Sequence, residues 1–198
     1  MIAIIDYGVG NLRSVQKALE KVGAQATFAN TPEHIQSADK IVLPGVGAMG
    51  AAMEKLQDLN LVDVIKEGAS TKPFLGICVG FQLLFETSEE GGGVEGLGIL
   101  PGKVQQFTQG KVPQIGWNQI QIQQKDCPLF QNIEEGSNVY FCHSYYASPV
   151  DQDVTASTTE YGINYTSAVC KDNVMGVQFH PEKSQTVGLK ILENFVKI

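Results

Sequence analysis

Cys78 stands at the centre of Gly76-Ile77-Cys78-Val79-Gly80, a thiol with a glycine two residues to either side. This G-x-nucleophile-x-G spacing is that of a strand-to-helix elbow. Such a turn strains its central residue and brings strand and helix so close that side chains two positions away would collide. It lifts the nucleophile above the carboxyl edge of a sheet, where open α/β folds bind ligands. It also sets the sulfur at a helix N-terminus, whose partial positive charge favours thiolate over thiol. A buried cysteine among small residues fits the same five positions equally well. A base has to decide between the two.

Three histidines are available. His34 falls in a short polar helix and reads as a surface residue. His143 sits in the alternating run "YFCHSYYA", which suits a structural or ligand-contacting role. His180 ends the apolar run "VMGVQF" and opens His180-Pro181-Glu182. Pro181 fixes the backbone there, and the spacing lets the Glu182 carboxylate reach back to the imidazole nitrogen that faces away from the sulfur. That is the third-group role in a nucleophile–base–orienter triad. A surface His-Pro-Glu turn explains the tripeptide alone, but not its pairing with an elbow. Acyl transfer also needs donors for a developing oxyanion. The Val79 amide is one by construction. "LPGVG" (43–47) could supply a second, and a plain tight turn accounts for its glycines equally well.

These groups require strands whose ends meet at one rim. The first half alternates short apolar runs with helical spacing: "MIAIID", a helix carrying Leu12, Val15, Leu19 and Val22 that stops at Gly23, then "QATFAN". A short helix with Thr31 as N-cap and Pro32 at its first position follows. Next come "KIVLPGVG", helical material from about Ala48 to Gly68, "KPFLGI", and a hydrophobic helix after the thiol. Apolar strands separated by helices predict a parallel sheet covered on both faces. From about Gly91 the chain turns to strands and hairpins ("GILPGKVQQFT", "VPQIGWNQIQIQ", "NVYFCHSYYA", "TASTTEYG", "YTSAVCKD", "NVMGVQFH"), closed by a helix after Ser184. The expected fold is α/β, an open and mostly parallel twisted sheet with an antiparallel β-rich extension, in one domain spanning 1–198.

Bulk properties narrow the function classes. A net charge of −7 with no basic block argues against nucleic-acid or anionic-membrane partners. No apolar run approaches the ~18 residues of a membrane span. "MIAIIDYG" lacks a basic lead and reads as a strand rather than a secretion signal. Cys78, Cys127, Cys142 and Cys170 are widely spaced without a CxxC pair, which fits free thiols in a reducing cytosol rather than a zinc site. "DYGVGNLRS" invites a dinucleotide fingerprint, but the third glycine would fall at Arg13 and the second strand ends at Asn30 without an acidic residue. A loop in which Asn11 caps the helix is the better account.

"GICVGFQLLFE" together with "QFHPEKS" resembles the class I (triad) glutamine amidotransferases. "DYGVGNLRSV", "LPGVGAMG", "VPQIGWNQ" and "YFCHSYY" resemble those members that pass ammonia to a separate (β/α)8-barrel cyclase, and the likeness runs from Asp6 to the closing helix. The resemblance implies hydrolysis of L-glutamine to glutamate and ammonia through a cysteinyl thioester, with no cofactor and no metal. It implies Cys78 as nucleophile, His180 as acid/base and Glu182 as orienting carboxylate. Val46, Gly47 and Val79 take the oxyanion role; Gln82, Glu95, Ser144 and Tyr145 contact the substrate. Asn11, Trp117 and Asn118 face the partner; a lone tryptophan would otherwise be assigned to the core. Val79 and Phe81 depart from the Leu and Met commoner in the family, and both changes are apolar.

Overall fold

Ile2–Ile5 (β1) is buried at every position, as a strand covered on both faces must be. The computed structural model describes residues 1–198. After β1 come Leu12–Lys21 (α1), Ala26–Ala29 (β2), Pro32–Gln36 (α2), Lys40–Gly45 (β3), Met49–Asp58 (α3), Val62–Thr71 (α4) and Phe74–Cys78 (β4). Val15, Ala18 and Leu19 form the buried stripe of α1. The Thr31 hydroxyl accepts from the His34 N–H, with Pro32 at the first position of α2, as the sequence predicts.

The helical material expected from about Ala48 to Gly68 forms two helices. Asn60 adopts a left-handed conformation (φ 55°), and Leu61 behind it is fully buried, so α4 restarts its apolar face from that residue. The helix expected after the thiol is one turn, Val79–Gln82 (α5), and the chain then extends into Phe85–Ser88 (β5). The Leu83, Leu84 and Phe85 carbonyls accept from the amides of Leu97, Ile99, Leu100 and Gly98. A helix would have left those amides unpaired, and an apolar run this short reads alike in either conformation.

The second half supplies Val94–Glu95 (β6), Leu100–Gln106 (β7), Gln114–Gln119 (β8), Gln121–Ile122 (β9), Asn138–His143 (β10), Tyr145–Pro149 (β11), Thr155–Glu160 (β12), Asn164–Lys171 (β13), Val174–Val177 (β14) and Gln185–Lys197 (α6). The main sheet runs β2-β1-β3-β4-β14-β13-β11-β7-β5-β6, with β12 against β13 and β9 against β12. Its β2 to β14 part is parallel, and β14–β13 begins the antiparallel extension. "NVYFCHSYYA", expected as one strand, breaks at Ser144: β10 pairs with β8 in a separate two-stranded ribbon, while β11 joins the main sheet. One contiguous apolar core runs from Ile2 to Phe195. No helix is long and apolar enough to cross a membrane.

Candidate active site

The end of β4 delivers Cys78 in a left-handed backbone conformation (φ 56°, ψ −109°), costly for any residue with a side chain. Its flanking glycines are dictated by contact. A Cβ on Gly80 would stand 1.8 Å from the Leu43 carbonyl oxygen of β3, and one on Gly76 would stand 2.7 Å from the Gly80 carbonyl oxygen. The elbow can therefore close only if both positions lack side chains. With α5 a single turn, little macrodipole accumulates at the sulfur.

His180 follows the parallel neighbour of β4. Its backbone N–H donates to the Tyr140 carbonyl (2.9 Å), and its Nδ1 lies 2.8 Å from Glu182 Oε1. Both side chains are sealed, at 3% and 1% exposure. Burial opposes charge on the imidazole, but Cys78 and Glu182 together outweigh it and raise its pKa to about 10. His180 is thus a protonated acid at neutral pH, turned between a sulfur and a carboxylate. Ser184 precedes α6 without capping it through its side chain. Its hydroxyl instead donates to the His180 carbonyl (2.6 Å) and accepts from the Tyr140 N–H (2.9 Å), fixing the turn that carries the imidazole. Asn11 likewise makes no cap on α1; its Nδ2 reaches Glu182 Oε1 at 3.5 Å. The other carboxylate oxygen, Oε2, is buried without a partner.

Cys78 and His180 share a cleft of about 410 Å³ with Val46, Gly47, Val79, Gln82, Ser144 and Tyr145. That volume lies within the ~300–1,000 Å³ usual for small-molecule sites. Eight of the sequence-derived positions therefore meet in one hollow, three of them from the segments expected to bind an oxyanion. Gly47 holds φ at 87°, and Gly45 has no room for a Cβ between Tyr7 Oη and Val79. Tyr7 Oη donates to the Pro44 carbonyl (2.8 Å), anchoring the start of this turn. Glu95 does not line the cleft. It is exposed on β6 opposite Thr87, and Glu90, five positions earlier across a glycine-rich stretch, lines the hollow with its carboxylate on the Met49 N–H. Lys183 lines it as well. His143 is in the wall, its Nδ1 donating to the Tyr145 carbonyl (2.7 Å), and burial pushes its pKa down to about 4. It is therefore a neutral structural imidazole beside a charged one.

Trp117 projects from β8 with 48% of its surface exposed, edge-on to Tyr140 at 6.1 Å, and Ile115 beside it is 61% exposed. The core alternative for this tryptophan does not hold. Asn118 is half-buried, its Nδ2 on the Glu160 carbonyl (2.9 Å). All four cysteines are free, and no cluster of three or more His, Cys, Asp or Glu could hold a metal ion.

The model of the class-I glutamine amidotransferases matches residues 3–198. The chain belongs to that family. Among its relatives, a protein named imidazole glycerol phosphate synthase subunit HisH from Syntrophotalea carbinolica is 53% identical, covering 98% of each chain. One of the same name from Thermococcus kodakarensis is 52% identical over the whole of both chains. A solved glutamine amidotransferase at 15% identity superposes with a TM-score of 0.78 over the full length of both, which establishes the shared fold. One residue of this amidotransferase site escaped the sequence reading. Gln178 is fully buried, donating from Nε2 to the Cys78 sulfur (3.9 Å). The available signal was its place as the lone polar residue of the apolar run "VMGVQF".

Proposed function

We propose that this chain is the glutaminase subunit of imidazole glycerol phosphate synthase in histidine biosynthesis, working in the cytoplasm as one catalytic domain bound to a (β/α)8-barrel cyclase. The observation that carries the reading is the buried imidazole of His180, held by Glu182 at 2.8 Å in the cleft that contains the Cys78 sulfur. Near-full-length identity of about half to proteins of that name supports it.

The chemistry follows from the geometry. The Cys78 sulfur attacks the carboxamide carbon of L-glutamine, and the carbonyl oxygen gains charge facing the Val79 amide and the Val46–Gly47 turn. His180 gives its proton to the amide nitrogen, the C–N bond breaks, and ammonia leaves a thioester behind. Water then attacks that carbon with His180 as base; glutamate departs and the thiol is restored. Gln82 spends both amide hydrogens on the Tyr145 carbonyl (2.9 Å) and Gln178 Oε1 (3.1 Å). Its own carbonyl oxygen is thereby free to accept from the substrate's α-ammonium. Asn11, Trp117 and Asn118 are assigned to the cyclase interface, where an exposed aromatic serves as an anchor.

The test is glutamine hydrolysis with and without the cyclase and its ribotide ligand. Stimulation by both is expected. Cys78→Ala should abolish glutamine-dependent cyclisation while leaving cyclisation from added ammonia intact. Loss of both reactions, or of neither, would overturn the assignment.

A further inference from the structure

Gln178 occupies a position that packing alone would give to an aliphatic residue. Its neighbours Val177 and Phe179 are fully buried, and so is its own amide. Burying an amide in such surroundings is unfavourable unless each polar atom is used. Here each is. Oε1 accepts from Gln82 Nε2 (3.1 Å), Nε2 donates to Cys78 Sγ (3.9 Å), and the backbone N–H is held by the Ser167 carbonyl (2.9 Å). Gln82 can only donate through Nε2, so its bond fixes which end of the Gln178 amide faces the sulfur. In its thiol form the sulfur has a second neighbour, the Cys142 carbonyl, also at 3.9 Å, as acceptor for its S–H. One donor and one acceptor therefore define the direction of the reacting atom.

We propose that Gln178 is a positioning residue for the nucleophile: one rigid amide ties the Cys78 sulfur to Gln82, the side chain that seats the amino-acid end of the substrate. The distance between the seated α-ammonium and the attacking sulfur is then set by Gln178 rather than by the elbow alone. An N–H donor placed at a sulfur binds a charged acceptor more strongly than a neutral one. This inference rests on the amidotransferase reading above.

The test uses Gln178→Met and Gln178→Glu in the complex with the cyclase. Readouts are kcat and KM for glutamine hydrolysis, and the pH dependence of inactivation by iodoacetamide. The Met variant loses both contacts, and kcat/KM should fall about 10–100-fold, the worth of one hydrogen bond to a charged group. The loss should be divided between kcat and KM, with the alkylation midpoint moving to higher pH. The Glu variant keeps an acceptor for Gln82, so KM should stay within about threefold while kcat falls at least as far. Gln178→Asn keeps the amide but withdraws it by one carbon. It is the variant of choice if Met prevents folding, and should reproduce the Met pattern. Two results would overturn the proposal. One is wild-type kcat/KM and midpoint in the Met or Asn variant. The other is lost activity with KM and midpoint both unmoved, as a packing defect gives. Wild-type protein inert toward glutamine beside its cyclase would strike the functional reading instead. The alkylation shift, which needs no glutamine, would still decide the role of Gln178.

Discussion

Glu182→Gln isolates the charge on the orienting group while keeping its shape. The carboxylate meets His180 Nδ1 at 2.8 Å, in a setting where neither side chain is more than 3% exposed. A hydrogen bond between such partners contributes about 1.5–3 kcal/mol when charged and about 0.5–1.5 when neutral, so the change removes about 1–2 kcal/mol. The second carboxylate oxygen already lacks a partner. Substituting an amide there exchanges an unpaired acceptor for an unpaired donor, and that cost cancels to first order. The remaining difference corresponds to about one unit of pKa and about tenfold in rate. The His180 titration, raised to about 10 by Cys78 and Glu182 against burial, should accordingly fall by about one unit. kcat/KM for glutamine should drop about tenfold in the cyclase complex. NMR titration of the imidazole from neutral to alkaline pH and steady-state glutamine hydrolysis measure the two effects. His180→Asn removes the proton carrier itself and should cost more, about 10²–10⁴-fold. An unmoved titration with a rate within about twofold of wild type would refute the argument that Glu182 supports an imidazolium.

Gly80→Ala places a Cβ 1.8 Å from the Leu43 carbonyl oxygen and should destabilise by about 1–3 kcal/mol. Calorimetry should show melting lowered by about 2–4 °C per kcal/mol, together with lost glutaminase activity; an unchanged melt would deny the close approach of α5 and β3. Trp117→Ala should weaken cyclase binding by about 2 kcal/mol, roughly thirtyfold in Kd, with the melting of the free chain unchanged. Titration calorimetry reads that directly, and unaltered affinity would remove Trp117 from the interface. Alkylation followed by peptide mass spectrometry should find Cys78, which lines the open cleft, labelled before Cys127. The Cys127 thiol is pushed up by its hydrogen bond with Cys170 and by burial. Equal labelling would contradict that order.

What the sequence made legible was whatever short-range chemistry determines. Two glycines around a thiol specify the elbow because only one backbone shape lets the strand and turn approach so closely, and Pro181 with Glu182 specifies its own return to His180 over two residues. The parallel half of the sheet follows from unbroken apolar strands between helices. The failures sit where long-range pairing decides. "GFQLLF" is apolar in either conformation, and the amides of Leu97–Leu100 draw it into extended chain. "YFCHSYY" looks continuous, but its two ends join different sheets. Glu95 lies on β6, whereas Glu90, held by the Met49 amide, reaches the cleft. Asn11 and Ser184 stand at the right cap positions with their side chains directed to the His180 turn. In each case the local residue type was readable, but pairing with another element of the fold chose its use.

The two buried imidazoles are held in opposite states, and the folded chain's response to acid and alkali follows from that. His143 is kept from protonating by burial, its pKa lowered from 6.5 to about 4. Below pH 6.5 the unfolded chain therefore takes up a proton that the folded one refuses, and stability declines toward pH 4 by about 3 kcal/mol. His180 is raised from 6.5 to about 10, so above pH 6.5 the folded chain retains a proton that the unfolded one has released. Stability then declines as pH rises toward 10. Between them these histidines favour a summit near neutrality, falling away on the acid side through His143 and on the alkaline side through His180.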